Sequence, residues 1–257
     1  MKYSVHCLLL YCLFLASCKE LLVDTGSPGF SKIDSLVSGV NFSNTIVESD
    51  SFNYYTFPYL YMGGGIAVGD INNDGLQDLF FTGNMVPNRL YLNKGNFQFE
   101  DISQSAAVAG DNRWYTGVTM ADVNNDGWLD IYLSVLSGSD KTQKPANQLY
   151  INNQDQTFSE QAEAYGLDDQ SASIQATFFD FDNDGYLDVF VANYPLFGVS
   201  QGNFFYSQMM KDNQHRYAGH LYHNQQNGTF TDVTAEANVQ SLAQTLGVIA
   251  ADFNQDG

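Results

Sequence analysis

From Gly63 onward, short apolar runs alternate with polar stretches rich in Asp, Asn and Gly. The runs hold four or five residues, which suits buried strands better than helices. One class is rich in small residues and occupies 65–69, 117–121, 176–179 and 247–251. Each of these leads into a polar loop. In three cases a second, β-rich run follows, at 79–82, 131–134 and 189–192. A third run then reads Leu-Tyr-x-Asn, at 90–93, 149–152 and 221–224. A polar turn leads from it to an aromatic residue, Phe97, Phe158 or Phe230, where a fourth strand is expected. A short stretch rich in Ala and Glu or Gln closes each unit, at 103–108, 159–165 and 234–239. Upstream, 30–42 is partly apolar and is expected to supply one strand.

Four strands per repeat is the content of one propeller blade. The pattern therefore predicts an all-β chain, a β-propeller of four-stranded blades joined by hairpin loops. Blades fall near 63–115, 116–172 and 173–243, and 244–257 opens a fourth. Three blades and the start of another make an incomplete ring, an open arc with exposed edges. The polar loops begin at Asp70, Asp122, Asp180 and Asp252, at intervals of 52, 58 and 72 residues. The growth lies between the second and third runs, at 137–146 and again at 195–219, which carries Phe204, Phe205, Tyr206, Met209 and Met210. Insertions at one blade position map onto one face, often the binding face.

The loops themselves carry the candidate chemistry. The first is Asp70, Asn72, Asp74, Gly75, Leu76 and Asp78 at positions 1, 3, 5, 6, 7 and 9. The second repeats it as Asp122, Asn124, Asp126, Gly127, Trp128 and Asp130. The third is Asp180, Asp182, Asp184, Gly185, Tyr186 and Asp188, and the fourth starts as Asp252, Asn254 and Asp256. Calcium takes 6–8 oxygen ligands at roughly 2.3–2.6 Å. Side-chain oxygens at positions 1, 3 and 5 converge on one point, position 7 offers its backbone carbonyl, and the Asp at position 9 closes the cage. Glycine at position 6 permits the sharp turn, and Asn at position 4 (Asn73, Asn125, Asn183) tolerates a left-handed conformation. Position 12 is Phe81, Leu133 or Val191, and the flanks are strands, so this is not an EF-hand. A plain hairpin turn needs only the Asp-Gly pair, and the extra carboxylates would repel one another unless neutralised. The third loop carries four carboxylates against three in the first two and is expected to bind calcium most tightly.

Charge supports this reading. The formal net charge is −19, and 12 of the 29 acidic residues lie in the four loops, where an acidic surface would spread them. With only 10 Lys and Arg, nucleic acid is not an expected partner. All three cysteines, Cys7, Cys12 and Cys18, lie in the first 18 residues, so the body has no disulfide and packing or metal must stiffen it. Lys2 followed by the apolar run 7–16 has the shape of an export signal, too short to span a bilayer as a helix. Leu15-Ala16-Ser17-Cys18 resembles the cleavage site of bacterial lipoproteins. That resemblance implies removal of 1–17 and lipidation of Cys18. Residues 18–50 then form a tether and approach segment, and 51–257 form the repeats. The implied location is outside the cytoplasm, lipid-anchored to a bacterial membrane, at the outer membrane or cell surface.

The Asp-x-Asn-x-Asp-Gly-x-x-Asp loops between small-residue and β-rich strands resemble the FG-GAP/VCBS repeats of integrin-α-type β-propellers. The run from Gly63 to Gly75, followed by Asn88-Arg89-Leu90-Tyr91-Leu92-Asn93-Lys94-Gly95, is similar to bacterial lipoproteins related to cartilage acidic protein, of the ASPIC/UnbV family. The resemblance implies a calcium-binding cell-surface propeller and carries no catalytic residue over to this chain. The Gly-Ala-Pro element of integrin repeats is absent, and the chain is expected to be the N-terminal fragment of a longer product.

His215, His220 and His223 lie near one another in sequence, but strand alternation puts His220 and His223 on opposite faces, where they cannot share an ion. The insertion aromatics Phe204, Phe205, Tyr206 and Tyr217 are expected to pack on their own blade. No nucleophile triad, phosphate loop or zinc-protease motif is visible. The expected function is a calcium-bound adhesion or binding scaffold for an extracellular glycan or protein. A carbohydrate lyase or dehydratase, and an accessory subunit of an outer-membrane nutrient-uptake system, are the alternatives.

Overall fold

A computed structural model of the chain describes residues 29–111, 113–138, 146–194, 204, 207–208, 218–240 and 245–253. The chain divides after Asp34, and the account below concerns the unit from Ser35 onward. Its described part is all-β apart from two single-turn helices, α1 (Ser35–Ser38) and α2 (Ala162–Tyr165), and helical residues at 204 and 207–208. Twelve strands form three antiparallel four-stranded sheets. The first holds β1 (Ile66–Gly69), β2 (Asp78–Phe81), β3 (Arg89–Asn93) and β4 (Phe99–Asp101). The second holds β5 (Arg113–Ala121), β6 (Asp130–Gly138), β7 (Gln148–Asn152) and β8 (Phe158–Glu160). The third holds β9 (Ser173–Phe179), β10 (Asp188–Asn193), β11 (His220–Asn224) and β12 (Phe230–Asp232). In each sheet the strands pair in chain order, the meander of a propeller blade.

Alternation along the strands builds the core. Ile131, Leu133 and Val135 of β6 pack toward the first sheet, against Ala67, Phe80, Leu90 and Leu92. Tyr132, between them, faces the third sheet with Leu149 and Ile151, against Ala176, Val189 and Val191. The middle sheet is thus buried on both faces, which is why its strands read as unbroken apolar runs. β1 has a neighbour on one side only, and Ile66 and Val68 remain 64% and 55% exposed. The innermost strands crowd together. A Cβ on Gly117 would meet Ile174 O at 2.6 Å, so only glycine permits this approach between β5 and β9. Gly65, Ile66, Thr116, Val118, Ile174 and Gln175 line a common cavity of about 270 Å³ along the inner edge of the sheets.

Three expectations change. Residues 30–42 hold no strand: α1 ends where Gly39, at φ 76°, donates its N–H to Ser35 O. The approach segment instead packs on the free face of the first sheet, with Phe42 stacked on Phe81 and Tyr91 Oη donating to Asn41 Oδ1 at 3.0 Å. Residues 52–60 form a cap in which Phe57 meets Trp114 edge-on at 5.1 Å. Phe97 does not start the fourth strand: at φ 57° it sits in the turn, and Phe99 pairs with Asn93. Residues 247–251 are described without a strand. The closing Ala-rich stretches form single helical turns, of which α2 ends at Gly166 in the left-handed conformation.

Candidate metal centre

The β1–β2, β5–β6 and β9–β10 hairpins carry the acidic loops, and the three share one backbone path. The fourth position is left-handed in each, with Asn73 at φ 57° and Asn125 and Asn183 at 60°. The sixth is glycine, at φ 85°, 85° and 87° in Gly75, Gly127 and Gly185. No residue with a Cβ takes up this second left-handed position readily.

The first aspartate folds back over each loop. Asp70 accepts from the N–H groups of Asp74 (3.1 Å) and Gly75 (2.7 Å). Asp122 accepts from Asp126 (3.0 Å) and Gly127 (2.8 Å), and Asp180 from Asp184 (3.1 Å) and Gly185 (2.9 Å). The fifth-position aspartate then holds the seventh residue: Asp74, Asp126 and Asp184 accept from the N–H groups of Leu76, Trp128 and Tyr186 at 2.8, 2.9 and 2.8 Å. In the first two loops the third-position amide donates to that same aspartate, Asn72 to Asp74 at 3.0 Å and Asn124 to Asp126 at 3.1 Å.

The ninth-position aspartate lies deepest. Asp78 and Asp130 are fully buried and Asp188 nearly so. Each uses both oxygens. Asp78 accepts from Ile71 N–H (2.9 Å) and Asn93 N–H (2.7 Å). Asp130 accepts from Val123 N–H (3.0 Å) and Asn152 N–H (2.8 Å), and Asp188 from Phe181 N–H (3.1 Å) and Asn224 N–H (2.8 Å). These carboxylates therefore staple the loop to the third strand of their own sheet. Burial pushes all three carboxyls up, against the pull of the two N–H donors, and the neighbouring loop carboxylates add to the rise. Asp130 is pushed up to about 7.

The asparagine that ends the third strand is part of the same construction. Asn152 donates its side-chain amide to Leu129 O (3.1 Å) in its own loop and to Ile71 O (2.8 Å) in the preceding one. Asn224 does the same toward Leu187 O (3.1 Å) and Val123 O (3.3 Å). Asn73 of the first loop also reaches the second, donating to Gly127 O at 3.1 Å. Sequence reasoning treated this asparagine as a strand end. Its return at the end of every Leu-Tyr-x-Asn run was the available signal.

The donor set fits a divalent cation. Oxygen ligands of Asp180, Asp182 and Asp188 lie within 4.8 Å of one another in the third loop. Among the described residues no lysine or arginine pairs with a carboxylate of the three complete loops. Two or three further acids around a buried carboxylate call for a positive charge that no described lysine or arginine supplies there. In the fourth loop Asp252 is exposed, and Asn254 and Asp256 lie outside the described residues, as does Cys18.

The two nearby histidines part company as alternation required. His220 is buried and lies 2.7 Å from Asp169 Oδ2, whose neighbours include Asn193 Nδ2 at 3.1 Å and Ser171 N–H. His223 turns toward the third loop, with Nε2 at 3.1 Å from Asp182 Oδ2. Burial would push the Asp169 carboxyl up, but the hydrogen bond and charge of His220, with Ser171 and Asn193, hold it at about 2. His215, Phe205, Tyr206 and Tyr217 lie outside the described residues, and Phe204 is exposed.

A family model described as an FG-GAP-like repeat matches residues 70–133 and 135–191, the first stretch holding the first two acidic loops and the second holding the third. The two stretches are FG-GAP-like repeats. The chain is also similar to cartilage acidic protein 1 of Xenopus tropicalis, 33% identical over 146 residues, or 56% of this chain and 22% of that protein. Similarity to cartilage acidic protein 1 of Mus musculus is 39% over 69 residues, and to that of Homo sapiens 39% over 72 residues. The matched part spans 11% of each mammalian protein, against 27% and 28% of this chain. No described helix is long and apolar enough to cross a membrane.

Proposed function

We propose that the chain is a calcium-stiffened propeller module of an exported binding or adhesion scaffold. The carrying observation is the threefold return of one loop geometry around a buried ninth-position carboxylate that no described lysine or arginine pairs with. In this reading positions 1, 3, 5 and 9 of each loop supply side-chain oxygens, and Leu76, Trp128 and Tyr186 supply backbone carbonyls. Calcium neutralises the acids and replaces the disulfides that the body lacks. The ligand is an extracellular glycan or protein. It meets the connections that leave from the other end of each sheet, between β6 and β7 and between β10 and β11, where the repeats differ most in length. Cys18 carries the lipid that holds the scaffold at the membrane.

Thermal unfolding with and without calcium tests the reading. Saturation at a hundredfold over Kd stabilises by about 2.7 kcal/mol per site. Three sites filled at millimolar calcium should therefore raise the melting temperature by many degrees over the chelated protein. An unchanged melting temperature, with no uptake of calcium in equilibrium dialysis, would refute it.

A further inference from the structure

The third loop departs from the other two at two places, and the departures touch. Position 3 is Asp182 where the first two loops have Asn72 and Asn124. The fourth residue of β11 is His223 where β3 and β7 have Leu92 and Ile151, both buried between sheets. With Asp182 in place of asparagine, the loop loses the amide that donates to the fifth-position carboxylate in the first two loops. In its place stands an imidazole from the same sheet.

His223 Nε2 lies 3.1 Å from Asp182 Oδ2 and 4.0 Å from Asp184 Oδ2. The atom is buried, yet makes no hydrogen bond to either oxygen. Its proximity is that of an ion pair, but its direction is not that of a donor. Ligands sharing one metal behave this way, because their lone pairs converge on a point between them. At metal–ligand distances of about 2.0–2.2 Å, adjacent ligand atoms sit roughly 3.0–3.5 Å apart. A metal on Nε2 takes the tautomer that carries its proton on Nδ1. Phe181 flanks the ring at 5.4 Å between centroids and limits its swing.

Calcium takes oxygen, whereas imidazole nitrogen suits zinc, copper, iron and nickel. We propose that the third loop is a site for a first-row divalent transition ion, bound by His223 Nε2 with the carboxylates of Asp182 and Asp184, while the first two loops remain oxygen-only sites. This rests on the reading that the loops are cation sites, and gives one of the three a different ion.

The test uses the full chain, stripped of metal, then titrated with Ca²⁺, Zn²⁺ and Co²⁺. Wild type should take up one Co²⁺ per chain with the visible absorption of nitrogen ligation, displaced by Zn²⁺. His223→Leu, which restores the residue of the first repeat, should lower Zn²⁺ affinity at least about tenfold and leave calcium uptake at the other loops intact. Asp182→Asn should weaken Zn²⁺ in the same direction, and both variants should keep the wild-type circular dichroism. Calcium uptake with no Co²⁺ band, or Zn²⁺ affinity unchanged in His223→Leu, overturns the proposal and spares the calcium reading. Zn²⁺ uptake that depends on His223, with no calcium bound anywhere, supports it and sinks the calcium reading.

Discussion

Replacing Asn152 by alanine should cost far more than the same change at Asn93, although the two residues end equivalent strands. Asn93 makes two side-chain hydrogen bonds, donating to Gln77 O at 2.8 Å and accepting from Gly95 N–H at 2.9 Å, both within its own sheet. Asn152 makes three. It donates to Leu129 O and to Ile71 O, and accepts from Gln154 N–H at 2.9 Å. The Ile71 bond crosses from the second sheet to the first, and Ile71 is fully buried. A typical hydrogen bond contributes about 1 kcal/mol net, and a buried group left without a partner costs about 1–3 kcal/mol. Asn152→Ala should therefore lose about 3–5 kcal/mol, and Asn93→Ala, at a half-exposed site, about 1–2 kcal/mol. Urea unfolding in chelator, monitored by tryptophan fluorescence, measures both. The m-value should stay constant, so that the midpoints report stability alone. Equal losses at the two positions would refute the idea that the amide of the third strand fastens one blade to the next.

Two further outcomes are expected. Asp169, held at about 2 against the usual 3.8, contributes stability that is present above about pH 4 and is lost as pH falls toward 2. Asp169→Asn should flatten acid unfolding over that window, and an unchanged acid limb would count against the pairing with His220. Labelled palmitate fed to cells making the chain should enter the wild type and not Cys18→Ser, and equal labelling of both would dismiss the lipid anchor.

Much of the fold was legible because each sheet buries its strands in the same way. The apolar runs at 131–134 and 189–192 fall within β6, buried on both faces, and β10, buried except at Phe190, and neither carries polar alternation to confuse the reading. The error at Phe97 was avoidable. Asn152 and Asn224 are each followed by their strand aromatic six residues on, and the same count from Asn93 reaches Phe99. The approach segment was opaque for a different reason. Its apolar residues at 42, 46, 52 and 57 follow no strand or helix period, since they fill gaps on the first sheet and around Trp114. At the loops, the side chains around the turn were legible from spacing, but the second duty of the ninth aspartate was not. Its partner, the N–H of Asn93, Asn152 or Asn224, lies 15 to 36 residues away and leaves no mark on local pattern. His223 was legible only by comparing repeats, where it stands out against Leu92 and Ile151.

The same chain of contacts ties the loops to the arc as a whole. The ninth-position aspartate of the second loop holds the N–H of Asn152, and the amide of Asn152 holds the carbonyl of Ile71 in the first loop. Asp188, Asn224 and Val123 repeat the sequence between the third loop and the second. On the proposed reading, a cation drawn into one loop would fix its ninth-position carboxylate, and through it the amide that grips the blade before. Charge neutralisation at a hairpin would thereby be converted into contact between blades. An isolated hairpin of this composition would have no such outlet, because both the strand that supplies the asparagine and the preceding loop that receives it lie outside it. Stiffening of the scaffold is thus a property of adjacent repeats, and each added repeat strengthens the one already in place.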